Sequence, residues 1–450
     1  MKERRGMAAG ETHEMEDRLT LIERLKGGDI PRALQEVAKD EPLTAEEIAG
    51  EVVRGTAVFP LNGVRELERP CAVGLGLRTK VNANIGTSGD MADMDFELKK
   101  LRAAEDAGAD TVMDLSTGGD IDAMRRKVIK ESKVPIGTVP VYQAAIEAQE
   151  KRGSIVAMTA DDMFEAIERH AADGVDFATV HCGVTTKALA CLESTGRIAD
   201  IVSRGGAFLS GWMIYNEKEN PLYSEFDRLL EIARKYEMTL SLGDGFRPGA
   251  VADATDSAQI QELITLGELV MRCREAGVQA MVEGPGHVPI SQVVENVRLA
   301  KDICRGAPFY VLGPLVTDIA PGYDHIVAGI GGALAASAGA DFLCYVTPRE
   351  HLGLPEVEDV REGTIVTRIA AHAGDLAKDP EYFMKWDNEM SRARKALDWD
   401  KQVALSVNPA RAGAELARCR VEGHEGCTMC GEFCAMKFVA AYLGKERGQC

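Results

Sequence analysis

Positive charge is scarce in this 450-residue chain. Lysine and arginine number 52 against 71 aspartates and glutamates, a formal net charge of −19. An acidic balance of that size excludes nucleic acid or an anionic membrane as the main partner, since both are held by basic surface. Long apolar runs are also missing. The longest uncharged stretch, residues 326–340, is mostly Gly, Ala and Ser. It is too short and too rich in small side chains to span a bilayer, and predicts a tightly packed helix. The first 17 residues are polar and lack the apolar segment of a secretory signal, which places the expected protein in the cytoplasm. A disulfide framework is not expected either. The eleven cysteines are odd in number. Cys71, Cys182, Cys191, Cys273, Cys304 and Cys344 are scattered, whereas Cys419, Cys427, Cys430, Cys434 and Cys450 crowd the end.

What is present suits a soluble enzyme. Apolar residues make up 45% and charged residues 27%, enough to build a sizeable core. Residues 18–53 read as two or three short helices, with Gly27-Gly28 stopping one and Thr44 capping another. From about Thr79, short β-rich runs alternate with helical segments. Nine runs read as strands: Lys80–Ile85, Thr111–Leu115, Ile136–Val141, Phe177–His181, Asp200–Ser203, Thr239–Leu242, Gln279–Glu283, Phe309–Leu312 and Phe342–Val346. Asp93–Ala107, Asp161–Asp173 and Gln259–Gly277 read as helices between them. Repeated β-then-α order predicts a parallel sheet. Nearly every strand ends in a polar or glycine-rich cluster, and a closed barrel gathers all of those ends at one mouth. The expected fold is therefore an α/β (β/α)8 barrel over residues 79–355. A helical region (1–78) precedes it, and a helical region with a cysteine-rich tail (356–450) follows.

Three constellations carry chemistry. His424-x2-Cys427-x2-Cys430-x3-Cys434 can clamp one metal centre. Either His424 completes a closed structural zinc site, or the three thiolates hold a 4Fe–4S cluster with one open iron able to chelate S-adenosylmethionine. Next, His287, in Glu283-Gly-Pro-Gly-His, and His351 follow neighbouring strand ends and suit a divalent metal completed by carboxylate or substrate oxygens. Finally, Ser203-Arg204-Gly205-Gly206, Asp244-Gly-Phe-Arg247 and Ser116-Thr-Gly-Gly119 are candidate anion-binding turns. Asn84, Met113, Tyr142, His181 and Tyr310 also fall at or just past strand ends. Asp318, Tyr323, Asp324 and His325 form a polar run expected in a loop near the mouth.

The stretches KVNANIGTS, ADTVMDLSTGGD, VPIGTVPVYQA, IVSRGG, LSLGDGFRPG, EGPGHVP, APFYVLGPLVTDIAPGYDH, LCYVTPREHLGLP, RIAAHAGDLAK and CTMCGEFCAMK run in this order from about residue 78 to 437. Together they resemble the phosphomethylpyrimidine synthase family, non-classical radical S-adenosylmethionine enzymes. The resemblance implies a homodimer in which the tail of one chain closes the site of the other. It implies rearrangement of 5-aminoimidazole ribotide to 4-amino-5-hydroxymethyl-2-methylpyrimidine phosphate, with formate and carbon monoxide released, and an electron donor such as flavodoxin or ferredoxin. Matched motif by motif, Cys427, Cys430 and Cys434 would hold the 4Fe–4S cluster, and His287 and His351 a mononuclear zinc or iron. Asn84, Met113, Tyr142, His181, Ser203, Arg204, Gly205, Asp244, Arg247, Glu283 and Tyr310 would line the substrate and cofactor pocket, with Glu283 and Asp244 the candidate catalytic groups. Two departures stand out: the last cysteine gap is three residues where many longer members of the family have four, as in a short-chain form, and Phe59-Pro-Leu-Asn-Gly-Val-Arg65 keeps Pro60 and Asn62 but lacks a later Asn and His. The second departure leaves room for a close paralogue, 5-hydroxybenzimidazole synthase, acting on the same substrate. A reading of another class is a metal-dependent barrel lyase with a zinc-stabilised tail.

Overall fold

The computed structural model describes residues 19–419 and 428–443. The chain forms two compact units, Met1–Gly374 and Asp375–Cys450. In the first, helices Leu21–Lys26, Arg32–Val37 and Ala45–Arg54 pack around their own apolar cluster, which includes Leu34, Ile48 and Phe59. Thr20 and Thr44 each close a capping box with the glutamate three residues on, satisfying the first free N–H groups. Strands β1 (Ala57–Val58) and β2 (Val73–Gly74) pair antiparallel and lead into the main sheet.

That sheet is a closed parallel barrel in the order β10-β3-β4-β5-β6-β7-β8-β9. Its strands are β3 Lys80–Ile85, β4 Thr111–Asp114, β5 Ile136–Thr138, β6 Phe177–Val180, β7 Thr239–Leu242, β8 Ala280–Gly284, β9 Phe309–Leu312 and β10 Phe342–Cys344. Register runs unbroken around the ring, from Asn84 against Met113 in β3–β4 to Phe342 against Lys80 in β10–β3. Large and small residues fit together across the strands: a Cβ on Gly137 would lie 2.3 Å from the Phe177 ring, and one on Gly284 2.1 Å from Phe309. The apolar stretch near 326–340 is helix Asp324–Ala338, packed so closely that a Cβ on Gly331 would lie 1.9 Å from the Pro314 carbonyl oxygen. Among the described residues no helix is long and apolar enough to cross a membrane.

One expected strand is absent. Residues 200–203 form no strand; Asp200 takes φ +45°, and Ser203 caps helix Arg204–Asn216 by accepting the Gly206 N–H at 3.2 Å. The Ile201-Val202 pair resembles a short β run, but the capping hydroxyl turns the backbone into a helix. Four other strands are shorter than expected, β4 and β6 by one residue, β10 by two and β5 by three. Pro140 opens helix Pro140–Arg152 directly after β5, and β10 stops at Cys344.

The departing segment 59–65 sits at the N-terminal ends of the strands. Phe59 N–H donates to Gln279, just before β8. The Asn62 amide donates to the carbonyls of Ala171 and Val175, and Arg65 pairs with Asp176, just before β6. It therefore seals the end of the barrel opposite the mouth. In the second unit, helices Pro380–Ala396, Trp399–Ala404 and Pro409–Cys419 precede the tail.

Candidate active site

All eight strands run in one direction, so their C-terminal ends converge on one mouth. A cleft with about 490 Å³ of atom-free space opens there. Eight of the expected residues line it: Asn84, Met113, Tyr142, His181, Asp244, Arg247, Glu283 and Tyr310.

Its floor is a polar network inside the barrel. Thr111 Oγ1 donates to Asn82 Oδ1 at 2.7 Å, and Asn82 Nδ2 lies 2.8 Å from both Asn84 Oδ1 and the Tyr310 hydroxyl. Asn84 Nδ2 lies 3.1 Å from Cys344 Sγ, and the Tyr310 hydroxyl 3.6 Å from Met113 Sδ. Burial drives the Tyr310 phenol well above its usual range, with the Cys344 thiol adding to the effect, so it stays neutral. Burial likewise pushes Cys344 up to about 11.

Charge is concentrated on the β7–β8 side. Arg247 Nη1 donates to Asp244 Oδ1 at 3.1 Å, while Asp244 Oδ2 is buried without a partner. Burial raises Asp244 to about 7, with Arg247 opposing the shift and Glu283 adding to it. Burial alone would lower Arg247, but Asp244, Tyr142 and Glu283 outweigh it and keep a cation in the cleft. Glu283 Oε1 accepts from Thr179 Oγ1 and Ser241 Oγ, both at 2.6 Å; burial still raises this carboxyl. His181 is pushed down to about 3 by burial and then by Arg247, so its imidazole is neutral. Its Nε2 meets Ser203 Oγ at 3.2 Å and its Nδ1 is buried and unpartnered.

Ser203, Arg204 and Gly205 border the cleft rather than line it. The Arg204 guanidinium lies 5.0 Å from the Tyr142 ring centroid, and a Cβ on Gly205 would lie 2.2 Å from His181 Cε1. The Ser116–Gly119 turn is closed by its own contacts. Gly118 O accepts from Thr87 Oγ1 at 2.6 Å, Ser116 Oγ accepts from Thr87 N–H at 3.1 Å, and none of the four residues lines the cleft. Thr179, Ser241, Asn82 and Cys344 were not expected at the site. Strand alternation carried the signal for two of them, since Asn82 and Thr179 stand two residues before Asn84 and His181.

The two expected histidines meet. The His287 and His351 ring centroids are 5.3 Å apart. His287 Nδ1 lies 2.7 Å from Asp318 Oδ1, and His351 Nδ1 2.9 Å from Asp324 Oδ1. The loop after β9 carries Asp318 there because Leu315 pairs with the His287 strand end, with Leu315 N–H donating to Gly286 O at 2.7 Å and Val288 N–H to Leu315 O at 3.0 Å. A carboxylate only accepts, so each Nδ1 donates, and Nε2 is the ring nitrogen left to meet a metal. Two imidazoles ligating one ion at a tetrahedral angle place their centroids about 5 Å apart, so the pair fits a shared metal. No group of three or more His, Cys, Asp or Glu that could hold a metal ion occurs among the described residues. The pair therefore offers two protein ligands and leaves the rest of a shell to substrate or water. Of the polar run, Asp318 and Asp324 orient the histidines, Tyr323 is exposed, and His325 Nδ1 is buried without a partner. In the tail, Cys430 and Cys434 are free thiols on either side of the 3-10 turn Gly431–Phe433. Cys427 and His424 lie outside the described residues.

The chain matches the model of the Radical SAM ThiC family over residues 20–441. It is 60% identical over 432 residues to the phosphomethylpyrimidine synthase of Moorella thermoacetica, covering 96% of this chain and 100% of that one. With the phosphomethylpyrimidine synthase of Desulforamulus reducens it shares 60% over 425 residues, covering 94% and 98%. With that of Desulforudis audaxviator it shares 61% over 423 residues, again covering 94% and 98%. Among solved structures, a dihydropteroate synthase from Coxiella burnetii in complex with pteroic acid aligns at a TM-score of 0.37 and 13% identity, covering 69% of this chain and 98% of that one.

Proposed function

From the premise that this chain belongs to the radical SAM ThiC family, we propose that it rearranges 5-aminoimidazole ribotide to 4-amino-5-hydroxymethyl-2-methylpyrimidine phosphate for thiamin synthesis, using S-adenosylmethionine. The observation that carries the reading is the division of the cleft. One side holds the buried cation Arg247, with Arg204 over the Tyr142 ring at the border. The other holds neutral hydrogen-bonding groups, Asn84 and Tyr310, with Glu283 between. A phosphate ester needs the first and an aminoimidazole the second.

In this reading Arg247 holds the phosphate with Ser203, Arg204 and Gly205 at its edge. Glu283, steadied by Thr179 and Ser241, accepts from the amino group. Asp244, near half-protonation at neutral pH, is placed to hold or release a proton as ring bonds change. Neutral His181, Met113 and Tyr142 pack the remaining wall and exclude water. Cys427, Cys430 and Cys434 are assigned to a 4Fe–4S cluster, which with S-adenosylmethionine supplies the one-electron chemistry when bound. His287 and His351 would hold a zinc or iron ion. A reducing partner such as flavodoxin or ferredoxin, a homodimer closed by the tail and a cytoplasmic location belong to the same proposal.

The benzimidazole alternative rested on residues 59–65. Their contacts lie at the sealed end of the barrel, and none of them lines the cleft, which favours the pyrimidine product. The test is anaerobic reconstitution with iron and sulfide, then incubation with 5-aminoimidazole ribotide, S-adenosylmethionine and a strong reductant, with products read by mass spectrometry. Hydroxymethylpyrimidine phosphate is the expected product. Hydroxybenzimidazole would overturn the product assignment. Stoichiometric zinc in the tail with no acid-labile sulfide would overturn the radical reading in favour of a metal-dependent lyase.

A further inference from the structure

Two buried side chains that the reading above leaves unused grip the Asp244–Arg247 turn from behind. The turn is centred on Phe246, whose ring is fully buried. Its N–H donates to Glu262 Oε2 at 2.8 Å, from helix Ser257–Glu275. Its carbonyl oxygen accepts from Arg197 Nη2 at 2.6 Å. Arg197 is itself fixed by Asp256 through two bonds of 2.7 and 2.8 Å, and it also donates to the Asp200 carbonyl at 3.1 Å. Glu262 is 2% exposed, and its Oε1 has no partner. The fit is tight, since a Cβ on Gly245 would lie 2.2 Å from Val184 Cγ2 and 3.2 Å from Glu262 Oε1. Behind the turn is a small gap, with room for about one water, lined by Asp244, Arg247, Glu262 and Glu283 among others. Asp244 and Arg247 therefore stand between the cleft and this gap.

We infer that Glu262 and Arg197 are positioning residues, a clamp on the two polar groups of the Phe246 backbone that aims Arg247 at the phosphate of the substrate. The inference rests on the reading of Arg247 given above. A turn that shifted at Phe246 would carry the Arg247 guanidinium away from the geometry on which bidentate phosphate binding depends. The clamp removes that freedom by fixing the backbone one residue earlier. Burial raises the Glu262 carboxyl well above its usual range, and Asp244 raises it further; the Phe246 and Gly245 N–H groups and then Arg197 oppose. Glu262 Oε2 is the acceptor for the Phe246 N–H. Glutamine keeps an acceptor oxygen of the same reach.

The experiment titrates the full-length wild type and the variants Glu262→Gln, Glu262→Met and Arg197→Lys calorimetrically with ribose 5-phosphate. Melting temperatures check folding, and kcat and KM are measured with 5-aminoimidazole ribotide. Glu262→Gln is expected within about twofold of wild type, and Glu262→Met about tenfold weaker, with KM rising more than kcat falls. Arg197→Lys keeps the ion pair with Asp256 but cannot also span to Phe246, so binding is expected to weaken by about threefold to tenfold. A folded Glu262→Met protein that binds like wild type overturns the clamp and leaves the proposed function standing. Glu262→Gln as weak as Glu262→Met overturns the acceptor role of Glu262. If Glu262→Met does not fold, unchanged binding in Arg197→Lys overturns the clamp instead. A wild type that does not bind ribose 5-phosphate overturns the phosphate reading of Arg247, and the clamp with it.

Discussion

Asp244 costs the fold stability in return for its place in the cleft. Its carboxyl is raised from 3.8 to about 7 by burial, so the folded state binds a proton that the unfolded state has released. Stability from this group is therefore full below about pH 4, falls as pH rises to about 7, and is flat above. Asp244→Asn mimics the protonated form. It is expected to raise the melting temperature at pH 8, with a gain bounded by about 4 kcal/mol (three units at 1.36 kcal/mol each). It should flatten the pH dependence between 4 and 7 while turnover collapses. Thermal melts of both proteins across pH 4–8 check this; a lower melting temperature at pH 8 would show that Arg247 needs the charge more than burial opposes it. Asp318 and Asp324 act on the histidines instead. Asp318→Asn or Asp324→Asn is expected to weaken divalent-metal affinity about 10- to 100-fold, measured by competition with a chelator, with His287 and His351 still in place. In the sequence these carboxylates were legible only as a polar run. Their partners stand 31 and 27 residues away, and no local spacing encodes that pairing. Asp244 and Glu283 were legible in polar clusters at strand ends, which a barrel gathers at one mouth; His181 also ends a strand, but alternation left its direction open and only the family resemblance pointed it into the pocket.

At the scale of elements, helix Arg204–Asn216 shows how narrow the tolerance is. Its first turn lies between His181 and the Asp244–Arg247 turn, and a Cβ on Gly206 would lie 2.2 Å from the Gly245 carbonyl oxygen. Gly206→Ala must move backbone against backbone, so a loss of at least about 2 kcal/mol is expected, read by denaturant unfolding, together with weaker ribose 5-phosphate binding. Ser203→Ala removes the cap and is expected to cost about 1 kcal/mol, with His181 losing its Nε2 partner. This element is also where the sequence misled. Lys80–Ile85, Thr239–Leu242 and Phe309–Leu312 were readable to the residue because β-branched and aliphatic runs lie between clear turn signals. Asp200–Ser203 has the same apolar pair, but a serine followed by Arg-Gly-Gly satisfies a helix start equally well. Only packing against His181 and Gly245 decides between the two.

For the molecule as a whole, the expected ribotide chemistry and the expected cluster lie on different parts of the chain. The cleft belongs entirely to the unit ending at Gly374, whereas Cys430 and Cys434 belong to the unit that follows. Cys434→Ala in the full-length protein is therefore expected to lose bound iron and acid-labile sulfide and to abolish turnover. It should leave ribose 5-phosphate affinity within about twofold of wild type, since no ligand of the ester is touched. Elemental analysis and calorimetry on one preparation read both. Parallel loss of ester binding would show that the tail shapes the cleft directly.

The Thr111–Asn82–Tyr310–Asn84–Cys344 network has a consequence for how such a protein diversifies. The cleft floor is the same set of side chains that ties β3, β4, β9 and β10 together. A lineage cannot deepen the chamber without loosening its own staves. New substrates must be accommodated by side chains at the rim, such as Arg204 and Tyr142, which take no part in closing the ring.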